Sequence, residues 1–130
     1  MSAVVVGYVP GPVGRAALEH GIEEARLRSA RLVVVSSTRG DALVDRRYVQ
    51  GDAADELRTE LEALDVPAEL RQVNAGHDIA EDLQDVADDV RADLVVIGVR
   101  RRTPVGKLVL GSAASRILLT VRQPVLAVKP

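Results

Sequence analysis

A run of basic residues between two glycines is the part of this chain best suited to chemistry. Residues 98–113 contain four cations and no acid: Arg100, Arg101, Arg102 and Lys107. The run begins at Gly98, where apolar residues 94–97 end, and it closes at Gly111 and Ser112, ahead of residues with helical spacing. The first amides of a helix lack intrahelical partners and carry the positive end of its dipole. A basic loop leading into a helix therefore suits an anion, and here it points to a phosphate.

Residue chemistry alone leaves two interpretations of this basic loop open. In the functional one, Gly98 lets the backbone approach a ligand and Arg100 or Arg101 makes guanidinium contacts with phosphate. Gly111 and Ser112 then supply amides and a hydroxyl. In the structural one, Gly98 ends a strand, the arginines are solvated, and Ser112 only caps a helix.

Two common nucleotide-binding motifs are missing from the chain. A P-loop requires Ser or Thr after Gly-Lys, but Gly106 and Lys107 are followed by Leu108, so no hydroxyl is placed for Mg²⁺. A dinucleotide-binding fingerprint requires Gly-x-Gly-x-x-Gly after the first strand, and Val9 stands where the second glycine belongs. We therefore expect Mg²⁺ only if a bound nucleotide carries it.

The residues that most often serve catalysis or metal binding form no convincing group. There is no cysteine, and His20 and His77 are far apart without metal-ligand spacing. Five acids on a helix with an apolar opposite face are interpreted as solvated: Glu81, Asp82, Asp85, Asp88 and Asp89. We predict no catalytic residues and no metal site, and hence no efficient turnover.

Apolar spacing predicts an α/β domain that spans residues 1–130. Buried strands are predicted at 3–8, 31–36, 93–97 and 125–128, with a weaker, charge-interrupted strand nearer an edge at 68–73. Helices are predicted from residue 14, from residue 52, at 78–91 and at 112–121. The last helix should bury Ala113, Ile117, Leu118 and Val121. Residues 38–50 have no clear pattern and are either a lid over a ligand or a mobile connection.

Alternating strands and helices predict a doubly wound parallel sheet with helices on both faces. Ligands of such sheets bind where the strand order reverses, outside the carboxyl ends of the strands. If the first and fourth strands flank the reversal, the loops at Pro10 and Gly98 face each other across one crevice.

Composition excludes several classes of partner. The formal net charge is −2, and the chain has two Tyr but no Phe or Trp, so we expect neither nucleic-acid nor membrane-surface binding. The sequence starts without a basic leader and has no apolar run of transmembrane length, which predicts a cytoplasmic protein.

The basic loop also carries a resemblance to a known family. Residues 98–112 read Gly-x-x-Arg-x9-Gly-Ser and are followed by Gln-Pro-Val-Leu-Ala-Val at 123–128. This resembles the C-terminal signature of the universal stress protein family, whose nucleotide-binding members carry Gly-x-x-Gly-x9-Gly-Ser/Thr. Val-Val-Val-Gly at 4–7 and Arg-Ala-Ala-Leu at 15–18 match the first strand and helix of the family, so the resemblance covers nearly the whole chain.

The resemblance implies a fold, a site and an assembly. The fold would be a five-stranded parallel sheet in the order 3-2-1-4-5. Gly98, Arg100 and Arg101 would lie along the phosphates of ATP, and Gly111, Ser112 and Ala113 would bind phosphate and ribose. The backbone of Ser37 would contact adenine. A homodimer would pair the last strands through Val125, Leu126, Ala127 and Val128.

The chain departs from the family pattern at two positions. Arg101 replaces the second glycine of the signature, and Val9 begins the segment that aligns with the usual Asp-Gly-Ser near the nucleoside. Three hypotheses remain. The chain is a dimeric regulatory module that binds ATP, a non-ATP-binding stress protein that acts through protein contacts, or a binder of another nucleotide such as AMP or a cyclic nucleotide.

Overall fold

The computed structural model describes residues 2–38, 44–74, 78–100 and 111–130, and only the backbone of residues 37, 38, 44–52 and 74. Within these ranges five strands alternate with four helices. The strands are β1 (Ala3–Tyr8), β2 (Arg31–Thr38), β3 (Ala68–Asn74), β4 (Ala92–Gly98) and β5 (Val125–Val128). The helices are α1 (Pro12–Arg28), α2 (Val44–Glu62), α3 (Ile79–Val90) and α4 (Ser112–Thr120).

The strands form one parallel sheet in the order β3-β2-β1-β4-β5. This confirms the predicted fold class and strand order, and it confirms that the charge-interrupted β3 lies at an edge. The direction in which strands are added to the sheet reverses between β1 and β4. Strands β2 and β3 lie on one side of β1, and β4 and β5 lie on the other. The carboxyl ends of β1 and β4 therefore define the predicted crevice.

Alternate strand residues face two separate apolar layers, which is why the helices must cover both sides. One layer joins the sheet to α1 and α2 through Val6, Val34, Leu18 and Leu57. The other joins it to α3 and α4 through side chains that include Val5, Val35, Leu83 and Ile117. With strands buried on both faces, near-continuous runs of Val and Leu are the expected composition. Among the described residues, no helix is long and apolar enough to cross a membrane.

Helix α2 starts at Val44, eight residues before the predicted start at residue 52. The prediction used apolar spacing, which detects the part of a helix that packs on a core, here Leu57 and Leu61. The first turns contain few apolar residues, so their helical backbone leaves no periodic signal. Residues 44–50, interpreted as patternless, therefore belong to a helix, whereas residues 39–43 lie outside the described ranges.

The buried faces of α3 and α4 differ from those predicted. On α4, Ile117 and Val121 are buried as expected, but Ala113 is exposed and Leu118 is 38% exposed. Ala114 packs against the core instead. On α3, Asp82 is buried and does not belong to the solvated acidic face. The buried arc of α3 is wider than its apolar stripe, because α3 packs against both the sheet and α4.

Candidate functional site

Strand register brings several predicted site residues to one edge of the sheet. Tyr8 of β1 pairs with Ser36 of β2, and Val6 pairs with Val96 of β4. Continuing the β1–β2 register by one residue places Val9 level with Ser37, whereas the pairing of β1 with β4 ends at Val6 and Val96. Because all strands are parallel, their carboxyl ends meet at this edge. Among the predicted site residues, this edge therefore brings Val9, Ser37 and Gly98 to the ends of neighbouring strands.

The turn from β1 into α1 is held by close backbone contacts. Gly11 is the N-cap of α1 with a φ of 109°, a conformation that side chains rarely adopt. A Cβ built on Gly14 would lie 1.6 Å from the carbonyl oxygen of Val9, so only glycine fits there. Val9 itself is 52% exposed at the edge. The turn is thus tightly packed at Gly14, whereas the side chain of Val9 at its start is apolar and exposed.

Gly98 makes a close approach, but to the chain itself. It is the last residue of β4, and a Cβ built on it would lie 2.2 Å from the carbonyl oxygen of Val13. Gly98 therefore allows the first turn of α1 to pack on the end of β4. Of the two interpretations of Gly98 drawn from residue chemistry, this contact supports a structural role at the strand end.

Helix α4 begins at the same edge with exposed residues. Gly111 is its N-cap, with φ −65° and ψ 159°, and Ser112 and Ala113 are its first two helical residues. All three are exposed. Among the described residues, no side chain caps this helix terminus, and no acid stands in its first turn. Ser112 is therefore not the cap that the structural interpretation required, and the positive end of the helix dipole lies at three exposed residues.

Helix α3 begins differently, because a side chain already caps its N-terminus. The Asp78 carboxylate accepts a hydrogen bond from the Ala80 amide at 3.0 Å and forms an ion pair with Arg116 of α4. The hydrogen bond from Arg116, with that from Ala80, lowers the pKa of Asp78, and the same contact raises the pKa of Arg116. Negative side chains also stand in the first turn of α3, so an anion is disfavoured there.

The cations of the basic loop fall into two groups. Arg100 lies two residues beyond β4 and is exposed. The other three lie outside the described residues: Arg101, Arg102 and Lys107. A further arginine near the edge, Arg15 in the first turn of α1, is bound to Glu60 of α2 at 2.6 Å. That hydrogen bond raises the pKa of Arg15.

Sequence reasoning missed the long-range partners of this region. Arg116 gave no signal as a partner of Asp78, since 38 residues separate the two. Val13 gave none as the neighbour of Gly98. The sequence did contain one signal for the role of Asp78 as a helix cap: Glu81 follows it at a spacing typical of a helix start. In the ranges that the structure describes, no group of three or more His, Asp or Glu side chains could hold a metal ion.

The predicted interface residues form β5, an outer strand of the sheet. Val125, Leu126, Ala127 and Val128 make up β5, which pairs with β4 on one side only. Gly98 pairs with Val128, and the Val99 amide donates to the Val128 carbonyl at 2.8 Å. Ala127 is exposed, whereas Val128 is buried. The crevice and this edge strand are therefore joined directly through β4.

The comparison with known families covers the whole fold. The model of the universal stress protein family matches residues 1–129. A universal stress protein of Mycolicibacterium smegmatis is 50% identical over 127 residues, covering 98% of this chain and 97% of that protein.

Solved structures agree with this assignment. The universal stress protein of Archaeoglobus fulgidus is 28% identical and superposes with a TM-score of 0.82, covering 99% of both chains. A structure of the universal stress protein from the same organism in complex with dAMP is 24% identical, with a TM-score of 0.74 over 99% of this chain and 98% of that one. At that identity the second likeness concerns the fold.

Proposed function

Because this chain belongs to the universal stress protein family, we propose that it binds an adenine nucleotide at the carboxyl edge of its sheet and acts as a regulatory module. ATP is the nucleotide we propose, with Mg²⁺ present only where the nucleotide carries it. The module works in the cytoplasm, where nucleotide concentrations are high, and we expect no efficient turnover.

The observation that carries this proposal is the open N-terminus of α4 beside the strand reversal. Gly111, Ser112 and Ala113 are exposed, and in the described chain no side chain caps this terminus and no acid stands in its first turn. Arg100 adds an exposed cation at the end of β4. Amides at a helix terminus with a guanidinium close by are a common way to hold phosphate. The terminus of α3 offers the opposite environment, since Asp78 already occupies it.

The geometry of the edge also supports the rest of the nucleotide. If phosphate lies at α4, the proposed adenine contact with the Ser37 backbone lies across the central strand, at the end of β2. Arg101, outside the described residues, would add a further phosphate contact. A related structure that contains dAMP supports an adenine nucleotide in this fold.

Calorimetric titration of the nucleotide-free protein with ATP, with and without Mg²⁺, tests the proposal. We expect micromolar binding that is lost in Gly111→Val, because a branched side chain would stand beside the free amides. Gly111→Ala, which adds one methyl group in open space, should bind more weakly but measurably. Absence of heat at millimolar ATP in the unmodified protein would contradict the proposal.

An arginine pair provides a matched control for the charge. Arg100→Gln should lower the affinity about tenfold or more, as expected for loss of one charge-assisted hydrogen bond. Arg91→Gln should leave it unchanged, because Arg91 is also exposed but precedes β4 at the opposite edge of the sheet. Equal losses in both variants would indicate a general charge effect and no site at Arg100.

The alternative function, a module that acts through protein contacts without ATP, is favoured by one observation. Leu119 of α4 is 88% exposed and Leu118 is 38% exposed, so α4 presents apolar side chains to solvent. The small molecules released from the purified protein separate the two functions. Absorbance near 260 nm in that fraction supports nucleotide binding. Absence of this absorbance, together with no heat on titration with ATP, supports the alternative.

A further inference from the structure

We propose that Arg116 is a further phosphate-binding residue of this site and that Asp78 competes with the bound phosphate for it. The inference deepens the proposed function and rests on it, because it assumes phosphate at the start of α4. It gives Asp78 a regulatory part, since this carboxylate holds a cation of the site in reserve until a nucleotide binds. The placement of the ion pair between Asp78 and Arg116 carries the inference.

The ion pair lies at the same edge of the sheet as the proposed phosphate site. Helices α3 and α4 follow β3 and β4, and each returns the chain to the opposite edge, where the next parallel strand begins. Both helices therefore start at the carboxyl edge. They also cover the same face of the sheet, because Leu83 and Ile117 belong to one apolar layer. Asp78, as the N-cap of α3, thus lies close to the first turns of α4.

Helix geometry directs Arg116 toward the start of α4. Arg116 follows Ser112 by four residues on the same side of the helix, and both residues are exposed. Their Cα atoms are about 6 Å apart along the helix axis, and side chains of a helix tilt toward its N-terminus. The long stem of Arg116 can span that distance, so its guanidinium can meet a phosphate bound at the first turn.

The contact that holds Arg116 is weak enough to exchange. The side chain of Arg116 is 62% exposed, and exposed ion pairs contribute little to stability. A phosphate chain carries more than one negative charge, and a guanidinium can bind two of its oxygens at once. Glu81 in the first turn of α3 adds a second negative charge near Arg116, so the phosphate must outweigh the attraction of both acids.

Release of Arg116 leaves α3 capped. The two carboxylate oxygens of Asp78 have separate partners: Oδ1 accepts a hydrogen bond from the Ala80 amide at 3.0 Å, and Oδ2 accepts one from Arg116. The capping bond does not involve Arg116, so it persists when the arginine turns to phosphate. Asp78 is therefore a fixed competitor, and the side chain of Arg116 is the part that moves.

Calorimetric titration with ATP of Arg116→Gln, Asp78→Asn and the double variant tests the inference. Arg116→Gln should lower the affinity about tenfold, as expected for loss of a charge-assisted hydrogen bond. Asp78→Asn should raise it about three- to fivefold, since asparagine still caps α3 but no longer holds the guanidinium. In the Arg116→Gln background, Asp78→Asn should change the affinity by no more than about 1.5-fold, because the residue for which Asp78 competes is gone.

Asp89→Asn is the matched control. Asp89 is also an acid of α3 that binds an arginine, Arg71 of β3, at 2.6 Å. It lies in the last turn of α3, at the edge opposite to the proposed site. The control therefore removes the same charge and a similar ion pair, and its affinity for ATP should stay within about 1.5-fold of that of the unmodified protein.

Each contrary result has a distinct meaning. Unchanged affinity in Arg116→Gln overturns the inference and leaves the proposed function intact, with circular dichroism confirming that this exposed substitution still folds. An equal gain from Asp78→Asn with and without Arg116 also overturns it, because the carboxylate then acts by general repulsion of phosphate. Weaker binding by Asp78→Asn overturns the competition as well. Absence of ATP binding by the unmodified protein contradicts the proposed function and this inference together.

Discussion

Two glycines of the same motif have opposite surroundings in this molecule. Gly98 is packed so closely against the first turn of α1 that a Cβ would meet both the carbonyl oxygen and the side chain of Val13. Gly111 has nothing within 4 Å of the corresponding position, and its φ of −65° suits any residue. The first glycine is therefore required by the fold, and the second is available to a ligand.

Gly98→Ala should lower the free energy of unfolding by about 1–3 kcal/mol, the usual cost of forcing a methyl group into a packed position. Gly111→Ala should change it by no more than about 0.5 kcal/mol. Urea denaturation followed by circular dichroism measures both. Equal stability of the two variants would mean that the turn after β1 moves away from Gly98 without cost.

One buried amide side chain of helix α3 binds the segment that leads into the last strand. Gln84 is 8% exposed, and its Oε1 accepts a hydrogen bond from the Arg122 amide at 2.8 Å. Its Nε2 donates to Asp88 at 2.8 Å and to Gln123 at 3.0 Å. Asp88 in turn accepts from the Arg122 guanidinium. This group holds the segment between α4 and β5 against α3.

Gln84→Ala should destabilise the protein by about 1–3 kcal/mol, because the buried Gln84 side chain makes three hydrogen bonds that the variant loses. Gln72→Ala on β3 is the matched control and should cost no more than about 0.5 kcal/mol, since Gln72 is exposed and accepts one hydrogen bond from Arg58. Chemical denaturation of the two variants in parallel makes the comparison. If Gln84→Ala lowered the free energy of unfolding as little as the control does, this side chain would not be what holds the segment against α3.

The two edges of the sheet differ in how they are protected from other chains. On β3, Arg71 bonds to Asp89 at 2.6 Å and lies near Glu69, so charged side chains line that edge. On β5, all four residues are apolar. Charges on an edge strand oppose pairing with another sheet, and an apolar edge permits it. We propose that β5 is the edge at which two copies of this chain associate.

Sedimentation equilibrium at micromolar concentrations tests the homodimer. The unmodified protein should have the mass of two chains, and Ala127→Lys should have the mass of one, because the exposed Ala127 is replaced by a charge at the proposed interface. Gln72→Lys on the opposite edge is the control and should remain a dimer. A monomeric unmodified protein, or a dimer lost through the β3 variant, would contradict association through β5.

The sequence by itself determined the fold class and the edge position of β3. Buried strands require apolar runs, and charges in residues 68–73 are tolerated only at an edge, so local composition carried that information. The family resemblance supplied the strand order. Local patterns were also enough to place Gly111 and Ser112 at a helix start, because apolar spacing begins just after them.

Only the tertiary structure decided what these residues touch. The start of α2 at Val44 has no apolar period to reveal it. The burial of Asp82 and Gln84 depends on a face of α3 wider than its apolar stripe. The contact of Gly98 with Val13, and of Asp78 with Arg116, joins segments far apart in the chain. Such contacts follow from how helices pack on the sheet, which no local run of residues encodes.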